Sequence, residues 1–142
     1  MAKMNPYLNF DGKTEEAFNF YKSVFGGEFS AVHRMTEAPE ASQLPENERN
    51  GIMHISLPID GHTTLMASDI LPSCGHVLNE GNNIQISLHP ESREETERLF
   101  NGLSSGGKVE MPLEDTFWGA YFGSFKDKFG IQWMVNFEQS QK

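Results

Sequence analysis

Apolar and polar side chains alternate from Ile131 to Asn136. Ile131, Trp133 and Val135 fall on one side of an extended chain, with Gln132, Met134 and Asn136 on the other. The run beginning at Trp118 comes before it, and a turn at Asp127–Gly130 joins the two, so the pattern predicts a hairpin. A second hairpin is predicted where GIMHISLPI and HTTLMASDI flank Asp60-Gly61. Helical spacing appears instead in Ala17, Phe18, Tyr21, Val24 and Phe25, which would face a core.

The same plan occurs twice. YLNFDGKTEEAFNFYKSVFGGEF (7–29) and IQISLHPESREETERLFNGLSSGGKV (84–109) each read as a strand, a turn, an acidic helix start and a closing glycine pair. Glu15-Glu16 answers Glu94-Glu95, Tyr21 answers Phe100, and Gly26-Gly27 answers Gly106-Gly107, at an offset of 78 to 80 residues. Thr14 and Ser92 are the expected N-caps. EFSAVHRMT (28–36) and Lys108–Met111 supply the strands after each helix. The organisation is one domain over 1–142, of α+β class. Its two βαβββ modules, about 4–70 and 83–138, are joined by a turn-rich connector at 71–82.

Strand parity assigns the faces. Leu8 and Phe10 should lie under a helix, leaving Asn5, Tyr7 and Asn9 on the opposite face. Met53, Ile55 and Leu57 should be buried, leaving His54 and Ser56. Ile84, Ile86 and Leu88 should be buried, leaving Asn83, Gln85 and Ser87. Amides and hydroxyls thus recur on one face, either as the wall of a polar cleft or as a solvated sheet surface.

Charge narrows the partners. Eleven basic and twenty acidic residues among 142 give a formal charge of −9. With no Lys/Arg cluster, nucleic acid is an unfavourable partner. No apolar run reaches the length of a membrane span, and the first ten residues lack the apolar core of a signal peptide. Cys74 is alone, so no internal disulfide forms. A cytoplasmic protein is expected.

The words PYLNF, EEAFNFYKSVFGGEF, LMASD and WGAYFGSFKDKFGIQWM resemble the vicinal oxygen chelate superfamily, the glyoxalase and bleomycin-resistance fold. The resemblance is closest to its PhnB-like branch, often described as demethylubiquinone methyltransferase-like. It implies paired modules forming a curved, partly closed mixed sheet, commonly in a homodimer. No glycine-rich loop after a strand supports a bound S-adenosyl group.

Metal-dependent members hold one divalent ion with His, Gln or Glu on the first, fourth, fifth and eighth strands. The resemblance carries those positions to Asn5, a residue between Leu65 and Asp69, Asn83 and Met134. Two amides, a thioether and at most one carboxylate make a poor divalent site, so no cofactor is expected and a metal is disfavoured. His54 and Asp69 are the fallback ligands.

Among the histidines, His54 is a candidate general base or, equally, a structural histidine. His62 and His89 are expected at the surface, and a catalytic Cys74–His76 pair lacks anything to orient the imidazole. Trp133 should be core, whereas Trp118 and Tyr121 are candidates for a cleft rim. The acidic 37–48 loop is either a lid or a solvated excursion. The expected function is metal-free binding of a small molecule through Tyr7, Asn9, His54, Ser56, Asn83, Gln85, Trp118, Tyr121, Gln132 and Met134. The alternative is an enzyme of lyase, isomerase or dioxygenase type, using His54 or a metal.

Overall fold

The computed structural model describes residues 2–139. Two compact units divide the chain, Met1–Asn79 and Glu80–Lys142, and each has the βαβββ order that the repeat predicts.

The first unit comprises β1 (Tyr7–Phe10), α1 (Thr14–Phe25), β2 (Ala31–Arg34), the short α2 (Glu46–Arg49), β3 (Ile52–Pro58) and β4 (Thr64–Asp69). Its sheet runs β1-β4-β3-β2, with β1 parallel to β4 and the other pairs antiparallel. The second unit comprises β5 (Ile86–Leu88), α3 (Arg93–Ser104), β6 (Lys108–Asp115), β7 (Ala120–Lys126) and β8 (Gln132–Glu138). Its order, β5-β8-β7-β6, repeats the first with the same single parallel pair. Both sheets are open and mixed, giving the α+β class that the sequence predicts.

One helix covers one face of each sheet. Ala17, Phe18 and Tyr21 of α1 are buried with Phe10, Ile55, Leu57, Leu65 and Ala67 of the first sheet. In the second unit Leu99, Phe100 and Leu103 of α3 are buried with Phe125, Trp133 and Val135. Phe100 meets Phe125 edge to face at 5.2 Å between centroids. Side chains of this size each contribute about 1.5–3 kcal/mol through burial. Gly123 makes the approach possible, because a Cβ there would lie 2.6 Å from Phe100 Cε2.

Three local devices fix the elements. Ser92 caps α3 as predicted, its Oγ accepting the N–H of Glu95 at 3.0 Å. Thr14 does not cap α1; Lys13 holds that position, and Thr14 is the first helical residue. Asp127 builds the last hairpin. Its Oδ1 accepts the N–H groups of Phe129 and Ile131, and its Oδ2 accepts the Trp133 indole N–H at 2.8 Å. Gly130 completes that turn with φ of 93°.

Parity fails at two strands. Ile52 is fully buried whereas Met53 is 38% exposed, the reverse of the alternation assigned from sequence. The cause is a β-bulge: His33 pairs with His54, but the next residue, Arg34, pairs with Ile52, so Met53 is the extra residue. Ile84 is 78% exposed, because the strand starts only at Ile86.

Elsewhere, β2 is shorter than its predicted span and β6 longer, reaching Asp115. The 37–48 stretch folds into short helical turns. Ala41 there is buried, and the Glu48 carboxylate accepts the N–H and hydroxyl of Ser73 at 3.0 and 2.6 Å. Among the described residues, no helix is long and apolar enough to cross a membrane.

Candidate functional site

Opposite its helix, each sheet has a helix-free face whose membership follows from register. In the first unit Tyr7 and Asn9 of β1 lie beside Met66 and Ser68 of β4, with His54 and Ser56 beyond them on β3. The Tyr7 hydroxyl reaches across to His54 Nδ1 at 3.2 Å, with ring centroids 5.7 Å apart. His33, the cross-strand neighbour of His54, holds Glu37 through Nδ1 at 3.0 Å. That bond, helped by the N–H of Arg34, keeps the Glu37 carboxyl below its ordinary pKa.

Other expected residues of this face are already engaged. Ser56 is buried, and its Oγ is 2.6 Å from that of Ser30. Asn9 accepts a long 3.4 Å hydrogen bond from Ser68. Asn5 Oδ1 accepts the N–H of Thr64 at 2.9 Å, tying the start of β1 to β4.

Asp69 lies on the opposite face from His54. Register places it with Phe10 on the α1 side, where Oδ1 accepts the N–H and hydroxyl of Thr14 and Oδ2 accepts the N–H of Ile52 at 2.8 Å. Three donors on a buried carboxylate make it a structural knot. It shares no site with His54.

In the second unit the helix-free face carries Gln132, Met134 and Asn136 of β8. Their register partners on β7 are Lys126, Ser124 and Phe122, and Ser87 of β5 lies beside Met134. Gln132 is only 8% exposed. Its Oε1 and the Oδ1 of Asn136 are buried without a hydrogen-bond donor among the described residues. Asn83 and Gln85 precede β5 and are exposed.

Tyr121, expected at a rim, lies on the α3 side instead. Its hydroxyl donates to Glu97 at 2.8 Å, and the Arg93 guanidinium stacks 3.7 Å over its ring. Burial first, then the bond to Glu97, raises its pKa. Trp118 is exposed at the β6–β7 turn, edge-on to Phe117 at 4.9 Å. Trp133 is core, as expected. His62 and His89 are exposed; His76 accepts the N–H of Leu71 through Nδ1, and Cys74 is exposed.

The donors do not fit the divalent ion of metal-dependent relatives. Asn5 is committed to the backbone and Asp69 faces α1. Met134 offers only a thioether. In the first unit, Ser68 pairs with Asn9 as Met134 pairs with Ser87, so the equivalent position there is a hydroxyl. No three His, Cys, Asp or Glu side chains converge among the described residues.

Residues 2–136 match the family described as 3-demethylubiquinone-9 3-methyltransferase. The chain belongs to this family. It is 34% identical over 146 residues to protein YjdN of Escherichia coli K12, covering 97% of each chain. Protein PA1353 of Pseudomonas aeruginosa is 42% identical, with a TM-score of 0.86 over 99% of this chain and 100% of that one. A PhnB protein of Bacillus cereus, described as a putative 3-demethylubiquinone-9 3-methyltransferase, is 26% identical. Its TM-score is 0.75 over 96% of this chain and 99% of that one. A glyoxalase/bleomycin resistance protein/dioxygenase family enzyme of Burkholderia phytofirmans shares the fold at 14% identity, covering 96% of this chain and 97% of its own, with a TM-score of 0.59. The chain is thus similar to a PhnB protein and has the glyoxalase/bleomycin-resistance fold.

Proposed function

We infer that this protein binds a small organic molecule on a helix-free sheet face, without a metal. The carrying observation is the pair of buried amide oxygens on β8, Gln132 Oε1 and Asn136 Oδ1, that no donor among the described residues satisfies. A buried polar atom without a partner costs about 1–3 kcal/mol, a penalty that a ligand removes by supplying the missing bond. Methyl transfer is a weaker reading of the family description. The turn from β1 to α1, Asp11-Gly12-Lys13, has one glycine and lacks the glycine spacing of a nucleotide-binding turn.

Replacing Gln132 with Met tests this without knowing the ligand. Removing a buried orphan amide at constant shape should raise the melting temperature of the free protein and abolish stabilisation by hits from a metabolite thermal-shift screen. A lower melting temperature, with hits unaffected, sinks the reading.

A second reading, His-based catalysis, has its candidate in His54: the Tyr7 contact orients the imidazole, and a base acting through Nε2 requires the tautomer protonated on Nδ1. His54→Gln distinguishes the two. Binding survives the change, whereas base catalysis falls by about 100-fold or more. The protein as a homodimer in the cytoplasm belongs to the same proposal, and its mass in solution tests the dimer.

A further inference from the structure

The helix-free face of the second sheet is charged differently at its two ends. Lys108 of β6 pairs with Lys126 of β7, which pairs with Gln132 of β8, so two lysines and the buried amide lie in a row across three strands. At the other end Glu114 of β6 pairs with Phe122, which pairs with Asn136, and Glu138 opposite Ala120 shares the face. Between the ends lie Met134 and Ser124, paired with each other, and Met111, which also pairs with Ser124. Glu110 falls at the irregularity between Val109 and Met111, outside this register.

None of Lys108, Lys126, Glu114 and Glu138 has an ion-pair partner among the described residues. Like charges directly opposite on neighbouring strands are destabilising, so the Lys108–Lys126 pair is relieved by an anion. A basic end is also unusual on a chain of formal charge −9. Four residue steps along the strand separate the ends, about 14 Å at ~3.4 Å per residue.

We propose that this face takes an elongated zwitterion: an anionic head beside Lys108, Lys126 and Gln132, an apolar middle over Met134, and an ammonium group beside Asn136, Glu114 and Glu138. This rests on the binding reading above and names its ligand class. The orphan Asn136 oxygen accepts from the donor end. The Gln132 amide, turned about its last bond, accepts or donates at the other.

The test is calorimetric titration of the full chain at low ionic strength with aminooctanoate, octanoate and octylammonium. Aminooctanoate should bind at least about ten-fold more tightly than either singly charged analogue. Lys126→Gln should weaken octanoate and aminooctanoate but spare octylammonium, and Glu114→Gln should spare only octanoate. Both positions are solvent-accessible, so neither change threatens folding. Equal affinities for the three probes, or carboxylate binding indifferent to Lys126→Gln, overturn the proposal. If no probe binds while Gln132→Met still stabilises and other metabolites still shift the melting temperature, the zwitterion fails and the binding reading stands. If Gln132→Met destabilises and nothing shifts, both fail.

Discussion

Asp69 takes both the backbone N–H and the hydroxyl of Thr14, at 3.1 and 2.7 Å, so the last residue of β4 fastens the first residue of α1. The same carboxylate holds the N–H of Ile52 where β3 begins. One side chain therefore joins three elements and does for α1 what Ser92 does for α3.

The first prediction follows directly. Asp69→Asn keeps the shape but turns one acceptor into a donor facing N–H groups, and hydrogen bonds to a charged group contribute about 1.5–3 kcal/mol each. We expect a loss of about 2–4 kcal/mol in urea denaturation, with ligand binding unchanged below the midpoint. An unaltered midpoint, or an effect on ligand affinity alone, contradicts the structural assignment.

Much of this was legible in the sequence, and parity explains both the successes and the failures. The repeat, the two helices and the Trp133 core position follow from apolar periodicity, which burial enforces. Asp69 and Tyr121 were also readable. Asp69 shares parity with Leu65 and Ala67, and Tyr121 with Phe125, so both belong to the helix-covered faces. The resemblance points Asp69 toward a ligand position and the hairpin start points Tyr121 toward a rim, and both readings pass over that parity. Met53 was not readable, because a bulge inserts one residue without any composition signal, and Asp127 looked like an ordinary turn residue. The unsatisfied state of Gln132 and Asn136 depends on what surrounds each oxygen, which no alternation encodes.

The bulge gives a second prediction. Simple alternation makes Met53 the core residue, whereas the structure buries Ile52 completely. Ile52→Ala should cost about 2–5 kcal/mol, and Met53→Ala should stay within about 0.5 kcal/mol. Chemical denaturation of the two variants decides; equal losses would mean the strand is in simple register.

A third concerns Gly123. A methyl group there meets Phe100 Cε2 at 2.6 Å and the backbone of Leu113 at 3.1 Å, so Gly123→Ala forces α3 and β7 apart. We expect about 1–3 kcal/mol of destabilisation. Adding Phe100→Leu should recover part of the loss, since the ring edge supplies the clash. Losses that simply add would place the strain elsewhere.

The fourth is a pH dependence. The Arg34 guanidinium donates to both oxygens of Glu15, at 3.0 and 2.6 Å, and holds its carboxyl below the ordinary 4.5. A depressed carboxyl pKa in the folded state contributes stability that is complete above about 4.5 and disappears as pH falls through the lowered value. Both side chains are more than a third exposed, so screening limits the pair to roughly 0.5–1 kcal/mol. Glu15→Gln should therefore lower stability at pH 7, and the difference from the parent should vanish in strong acid. A constant difference at every pH would assign the effect to packing.

The last prediction addresses His54, oriented by Tyr7 on the helix-free face of the first sheet. A tyrosine hydroxyl donates readily, and a neutral imidazole has one acceptor nitrogen. With the Tyr7 hydroxyl 3.2 Å from His54 Nδ1, the neutral ring should carry its proton on Nε2. Nitrogen NMR of labelled protein above neutral pH should report that tautomer, and Tyr7→Phe should return the ring to a mixture. A base acting through Nε2 needs the reverse arrangement, with that nitrogen free of a proton. The Nε2–H form therefore makes His54 a hydrogen-bond donor to a ligand, consistent with binding, and the Nδ1–H form makes it a base poised for catalysis. Observing Nδ1–H in the parent would favour an enzyme over a binding protein.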